Sequence, residues 1–374
     1  MKLLNNPFVE YGYHGPEYFC DREQETAELM RHLHNESNVA LMSPRRIGKS
    51  GLIQHVFHAI KAEQSDVACI YIDLLNTKSQ HDFVSVFASR VIAALDDNVQ
   101  TALRRATQFF KGLRPTMTFD ELTGMPTFSL DIAPTKETVT IEQVFQYIAQ
   151  SGKRCYIAFD EFQQITEYPE QGLEALLRSH IQFIPNAWFI FAGSQKHLLS
   201  EMFLSAKRPF YLASQIMEIG VIDEAKYLAF ANHFFASQQR SMSAEVFHGL
   251  YQLVDGQTWY VQEILHQLYE TPDSPLDDDD VRQTLDRLIN RFSVGFSTLY
   301  DTITENQARL LRAIALEGVV KEPMARAFIS TYHLPALSST RQALKALETK
   351  LMIYKSADGY LVYDRFFAIW LRRL

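Results

Sequence analysis

A parallel α/β sheet covered by helices, followed by a small helical domain and a winged tail, is the fold class this sequence predicts, and three observations predict it. Short apolar runs at Val39 to Met42, Cys69 to Leu75, Tyr156 to Phe159, Trp188 to Ala192 and Ile216 to Ile219 alternate with segments of helical spacing. Buried strands joined by long crossovers form a parallel sheet covered on both faces. Between the first run and the next helical segment lies Ser43 to Ser50, Ser-Pro-Arg-Arg-Ile-Gly-Lys-Ser, where a loop joins a strand to a helix N-terminus. At the end of the chain, three helical segments and two short strands read as a winged helix-turn-helix.

Taken in order, Arg22 to His34 has helical spacing with Asp21 as its expected N-cap, and the Val39 to Met42 strand and a Gly51 to Ile60 helix follow. Cys69 to Leu75 is a second strand ending near Asp73, and Asp82 to Leu95 and Thr101 to Lys111 are helical. Thr116 to Ile132, with Gly124, Pro126 and alternating apolar residues, reads as an inserted hairpin. Ile141 to Ala149 and Glu170 to Phe183 are helices flanking the Tyr156 strand, and Gly193-Ser194-Gln195 follows the Trp188 strand. Asp223 to Ser237, Ala244 to Leu253 and Tyr260 to Leu268 form a helical domain broken at Gly256. The acidic run Asp277 to Asp280 lacks the spaced ligands and central Gly of a calcium loop, and instead complements the dipole of a Val281 to Phe292 helix. In the tail, Glu305 to Ala315, Pro323 to Ser330 and Ser338 to Leu351 are helices, and the strands Ile353 to Lys355 and Tyr360 to Val362 bracket Asp358-Gly359, a type I′ turn signal.

The chemistry is concentrated in two segments. Ser43 to Ser50 fits seven of the eight positions of G-x-x-x-x-G-K-[ST], with Ser43 in place of the first Gly. In such a loop the backbone N–H groups of Pro44, Arg45, Arg46, Ile47, Gly48, Lys49, Ser50 and Gly51, proline excepted, surround phosphate at a helix N-terminus. Lys49 neutralises β/γ oxygens and Ser50 ligates Mg²⁺. The Tyr156 strand ends in Asp160-Glu161, an acidic pair whose first member suits the Mg²⁺ water shell. Glu161, pointing another way along an extended backbone, polarises a water for attack on the γ-phosphorus; the plain alternative is a charge at a helix N-terminus. Together the segments specify an α/β P-loop NTPase that hydrolyses ATP.

Composition frames this reading. The 374 residues are 47% apolar and 12% aromatic, enough core for two or three domains. With no apolar run near the length of a membrane helix and a polar, Pro-containing Met1 to Glu10, the expectation is a cytoplasmic protein with no membrane partner. Cys20, Cys69 and Cys155 have no C-x-x-C spacing and read as reduced core thiols, so no metal beyond nucleotide-bound Mg²⁺ is expected. The net charge is −8, yet Glu305 to Leu374 holds eleven Lys/Arg against six Asp/Glu, so the basic excess lies in the tail. That asymmetry permits nucleic-acid contact there and argues against wrapping by the rest of the chain.

These residues resemble a family. Asn6-Pro7-Phe8, Phe19-Cys20-Asp21-Arg22-Glu23, the Pro44 to Ser50 loop, Asp160-Glu161-Phe162-Gln163 and Gly193-Ser194 are similar to archaeal and bacterial ATPases of the STAND and AAA-like group, whose core resembles replication-initiator ATPases. Asp255-Gly256-Gln257-Thr258-Trp259-Tyr260-Val261-Gln262 is similar to the lid motif Gly-Gly-x-Pro-x-Tyr-x-x-Gln, with Thr258 where the family has Pro. The stretch from Ser338 through Asp364-Arg365-Phe366-Phe367-Ala368-Ile369-Trp370-Leu371 resembles the family's winged-helix tail. The resemblance implies an ATPase core over 1–222 including an adenine-side N-terminal segment, a lid over 223–304 and a winged helix over 305–374. It further implies that Phe19 contacts adenine, that Ser194 senses the γ-phosphate, and that Arg208 is an arginine finger or γ-phosphate contact. The expected activity is a nucleotide-dependent switch whose tail meets double-stranded DNA or a protein, with oligomerisation open. Exposed Ser338, Ser339, Arg341, Gln342 and Lys345 suit DNA, whereas Phe366, Phe367, Trp370 and Leu371 suit a docking surface. A small-molecule phosphotransferase and a scaffold without turnover are the alternatives, disfavoured by the tail and by Glu161 respectively.

Overall fold

Alternation of side chains along short apolar strands determines the architecture. The computed structural model describes residues 4–96, 109, 114–119, 126–131, 137–273, 275–356 and 358–374. They divide into two units, Tyr11–Val221 and a second made of Ile222–Leu374 with the N-terminal segment through Glu10.

The first unit contains β1 (Val39–Met42), β2 (Ala68–Asp73), the antiparallel pair β3 (Arg114–Phe119) and β4 (Pro126–Asp131), β5 (Cys155–Asp160), β6 (Ala187–Gly193) and β7 (Gln215–Glu218). The five strands other than the hairpin form one parallel sheet in the order β2-β5-β6-β1-β7. Odd and even positions of its strands face opposite sides. Met42, Ile157, Phe159, Phe189 and Phe191 pack with α3 (Gln80–Leu95) and α4 (Glu137–Gln150), whereas Leu41, Tyr156, Ala158 and Ile190 pack with α1 (Glu23–His34) and α2 (Lys49–Glu63). The sheet is therefore covered on both faces, as the α/β reading expects. Two further helices, α5 (Leu173–Ile181) and α6 (Lys196–Leu204), follow β5 and β6, and α6 was not foreseen from the sequence.

Other details depart from expectation. The first helix begins at Glu23 rather than after an Asp21 cap, because Asp21 and Arg22 both adopt left-handed backbone, with φ of 56° and 75°. β2 ends at Asp73, as expected, where Asp73 turns the chain by accepting a hydrogen bond from Leu75 N at 2.9 Å. The hairpin strands are antiparallel, with Arg114 opposite Asp131 and Phe119 opposite Pro126. Gly124 and Ile132 of the expected hairpin and most of the Thr101 to Lys111 helix lie outside the described residues.

In the second unit, α7 (Glu224–Phe235), α8 (Ala244–Leu253), α9 (Thr258–Tyr269) and the long α10 (Asp278–Asp301) precede the tail helices α11 (Glu305–Glu317), α12 (Arg326–Thr331) and α13 (Leu337–Thr349). Strands β8 (Ile353–Lys355) and β9 (Tyr360–Val362) and helix α14 (Arg365–Arg372) complete it. The acidic run is a cap: the Asp277 side chain accepts from Asp279 N and Asp280 N at 3.0 Å, while Asp280 accepts from Asp277 N. The α10 helix runs nine residues past its expected end at Phe292. Phe8, expected within the 1–222 core, is fully buried among Phe230, Phe234, Phe235 and Tyr269, with ring centroids 5.2–6.3 Å away. Asn6 Nδ2 donates to His266 O at 3.0 Å, so the N-terminal segment is fastened to helices that follow Ile222.

The tail hairpin pairs Lys355 with Tyr360, so Ser356 to Gly359 make a longer connection than the expected type I′ turn. Its shape follows from a third partner, since Tyr360 also bridges Val320 and a Cβ on Gly359 would lie 2.6 Å from Val320 O. Phe366, Phe367 and Leu371, expected on a docking surface, are buried within this unit. Phe366 meets Tyr260 at 4.8 Å, Phe367 stacks on Trp370, and Trp370 is partly buried against Phe296. An aromatic-rich amphipathic helix at a chain end reads the same in sequence whether it covers its own core or a partner's.

Candidate active site

Parallel sheets gather loops at the carboxyl ends of their strands, and ligands bind where the strand order changes direction. Here Met42 pairs with Gly193 and Asp73 with Asp160. With β6 between β5 and β1, the register brings the Ser43 to Ser50 loop, Ser194 and the acidic pair to one edge of the sheet.

The loop is closely fitted. Ser43 is buried and its hydroxyl donates to Pro44 O at 3.0 Å, occupying the position of the missing Gly. Arg46 and Gly48 take left-handed backbone, with φ of 66° and 94°, and α2 starts at Lys49. Ile47 is buried, Arg46 and Ser50 are exposed, and Pro44, Arg45 and Gly51 are intermediate. Lys49 is 6% exposed, yet its Nζ lies 3.8 Å from both Asp160 Oδ1 and Glu161 Oε1.

Around that ammonium the acidic pair divides its contacts. Asp160 Oδ2 accepts from Ser50 Oγ at 2.5 Å and from Tyr71 Oη at 2.6 Å. Burial, reinforced by Asp160, pushes the Tyr71 hydroxyl well above its ordinary pKa, which keeps it a donor. Burial also raises the Asp73 carboxyl, with Asp160 and Glu161 adding to the shift. Glu161 departs from expectation, because its backbone is left-handed, φ 53°, rather than extended. Its side chain does not cap the short 3₁₀ turn that follows at Phe162–Glu167. Instead Oε2 accepts from Ser194 Oγ at 2.6 Å and Gln163 Nε2 at 2.5 Å, and Arg45 Nε donates to Ser194 Oγ at 3.2 Å. A hydrogen-bonded chain thus runs from the loop through Ser194 to Glu161.

Phe19 is stacked on His55 of α2, with centroids 4.3 Å apart and planes 15° apart, and its edge lies 3.4 Å from where a Cβ on Gly51 would be. Tyr13 closes the cluster, its hydroxyl 2.9 Å from His55 Nδ1. Burial pushes that phenol up to about 12, and burial with His58 lowers His55, favouring a neutral imidazole. Arg208 is not brought to the loop: its guanidinium pairs with Glu174, and Glu201 lies 3.7 Å away.

Four contributors were given no role in the sequence reading. Tyr71 and His55 sit on ordinary strand and helix positions and gain meaning only from register, whereas Gln163 was read only as the end of the Asp160 to Gln163 stretch. Arg22 is buried and donates to Ile47 O at 3.1 Å and Gly220 O at 2.7 Å, fixing the loop to the exit of β7. Its signal was a buried position for a charged residue, which one sequence does not display.

With this geometry, comparison with known proteins is informative. Residues 19–264 match the family described as "ATPase domain predominantly from Archaea", and residues 294–373 match that described as "Probable winged helix domain". The fold is similar to the Walker-type ATPase of Pyrococcus abyssi, with a TM-score of 0.66 and 18% identity over 98% of this chain and 99% of that one. It is also similar to the ORC2 protein of Aeropyrum pernix, solved as ADPNP-ADP complexes, with a TM-score of 0.60 and 15% identity over 98% and 95% of the two chains. No curated protein matches the chain.

Proposed function

The chain belongs to the family of ATPase domains found predominantly in Archaea and carries a C-terminal winged helix domain, and from that premise we propose that it is an ATP-hydrolysing switch whose nucleotide state is read by a DNA partner at residues 305–374. The observation that carries the reading is the convergence of Lys49, Ser50, Asp160 and Glu161 at the carboxyl edge of the sheet. A loop for phosphate, a cation for its charge and a carboxylate for water are the parts that hydrolysis requires.

The hydroxyl of Ser50 and the carboxylate of Asp160 form an oxygen donor set suited to Mg²⁺. Bound Mg²⁺ supplies neutralisation of charge on the β/γ oxygens. Lys49 binds the same phosphates, Phe19, backed by His55, contacts the base, and Ser194 meets the γ-phosphate. Glu161 takes a proton from the water that attacks the γ-phosphorus, giving ADP and phosphate. Arg208 acts as an arginine finger only after leaving its pair with Glu174.

For the partner, Ser338, Arg341, Gln342 and Lys345 lie exposed or half-exposed along one face of α13, as DNA contact requires. The aromatic residues that would favour a protein surface are largely buried inside the unit, which supports DNA over protein. Among the described residues no helix is long and apolar enough to cross a membrane.

The test is Glu161→Gln. ATP affinity is retained because Lys49, Ser50 and Asp160 remain, while hydrolysis slows by roughly 10²-fold or more, the scale of a lost general base. Loss of affinity with unchanged turnover of bound ATP would make Glu161 structural.

A further inference from the structure

Gln163 is 2% exposed and points its amide at Glu161. Three donors converge on one carboxylate oxygen: Gln163 Nε2 at 2.5 Å, Ser194 Oγ at 2.6 Å and Ser194 N at 3.3 Å, all to Oε2. The other oxygen, Oε1, faces Lys49 at 3.8 Å. A carboxylate that receives a proton from a positioned water works best with one oxygen tied down and the other aimed at the nucleophile.

Two features show that the surroundings are shaped around this amide. Gly193 admits it, since a Cβ there would lie 2.1 Å from Gln163 Oε1 and 2.0 Å from Leu199 Cδ1. Among the described residues, that same buried Oε1 has no hydrogen-bond partner. A buried acceptor left unsatisfied weakens a fold, so an apolar side chain of similar length would serve stability at least as well. What the amide contributes here is its donor to Glu161.

We propose that Gln163 is a positioning residue for ATP hydrolysis, acting with Ser194 to lock Oε2 of Glu161 so that Oε1 receives the proton of the attacking water. This rests on the ATPase reading of the site. Gly193 belongs to the device as the position that leaves room for the amide.

Steady-state and single-turnover hydrolysis by the full chain with Mg-ATP, beside affinity for a non-hydrolysable analogue, test it. Gln163→Met, which keeps length and removes the donor, lowers kcat by about 10- to 100-fold, leaves analogue Kd within about threefold, and leaves Tm unchanged or raised. In the Glu161→Gln background the same change adds little further loss, because it acts through Glu161. Gln163→Leu, which also removes the donor, supplies the measurement should the methionine variant fold poorly, and it shows the same absence of added loss over Glu161→Gln. Wild-type turnover by Gln163→Met, a Kd that weakens in proportion to kcat, or an equal loss in the Glu161→Gln background overturns the proposal. Absence of hydrolysis by the wild-type chain overturns the ATPase reading itself, a separate outcome.

Discussion

Lys49 has two carboxylates as its near neighbours, and this explains both its burial and its consequence for function. An ammonium that is 6% exposed persists when opposite charges surround it, and the same point charge is what β/γ phosphate oxygens need. Lys49→Ala therefore removes the neutralising charge and abolishes measurable ATP binding and hydrolysis, read by nucleotide titration and phosphate release. Unchanged turnover would retire the phosphate-loop assignment. The convergence of Lys49, Ser50, Asp160 and Glu161 was legible because they lie in a contiguous motif and at a strand end. Tyr71 and Gln163 were not, because nothing in the sequence says that β2 lies beside β5 or that Gly193 leaves room for an amide. Glu161 was read on an extended backbone because local pattern gives no sign of a left-handed turn one residue past a strand.

At the scale of elements, the apolar runs were legible as strands and the helical spacing as helices, since burial on alternate or 3.6-residue periods leaves its mark on composition. Strand order was not, because it depends on which faces meet in space. Placing the N-terminal segment with the core failed for a similar reason: Asn6-Pro7-Phe8 is short and aperiodic, and its place is decided by a cage of aromatic residues more than 200 positions away. That cage makes a prediction about stability. Phe8 is 0% exposed, so Phe8→Ala leaves a cavity and destabilises the unit that contains it by roughly 3–5 kcal/mol, while Phe8→Leu has a much smaller effect. Urea unfolding followed by far-UV circular dichroism measures it, with separate transitions fitted for the two units. A loss below about 1 kcal/mol for Phe8→Ala would mean that the segment is not held by its aromatic neighbours.

At the scale of the whole molecule the decisive quantity is how charge is distributed. The chain carries −8 overall while Glu305 to Leu374 holds an excess of basic residues, so any DNA affinity must arise locally and against the field of the remainder. Local phosphate contacts leave a signature in salt, because each phosphate neutralised on duplex DNA releases roughly 0.9 counterion. Arg341 and Lys345 are exposed on α13, four residues apart and hence on neighbouring turns of one face. If they contact phosphate, replacing both with Ala in the full chain weakens duplex binding across all sequences and lowers the slope of log K against log salt by about 1 to 2 units. Should they read bases instead, the loss concentrates on preferred sequences and the slope changes little. Fluorescence anisotropy with labelled duplexes over a salt series distinguishes these outcomes. Binding that is absent at low salt, or equal in the wild-type and doubly substituted chains, would remove DNA from the proposed switch and leave a protein partner, to be sought on the faces of the winged helix domain that Phe366 and Phe367 do not already fill from within.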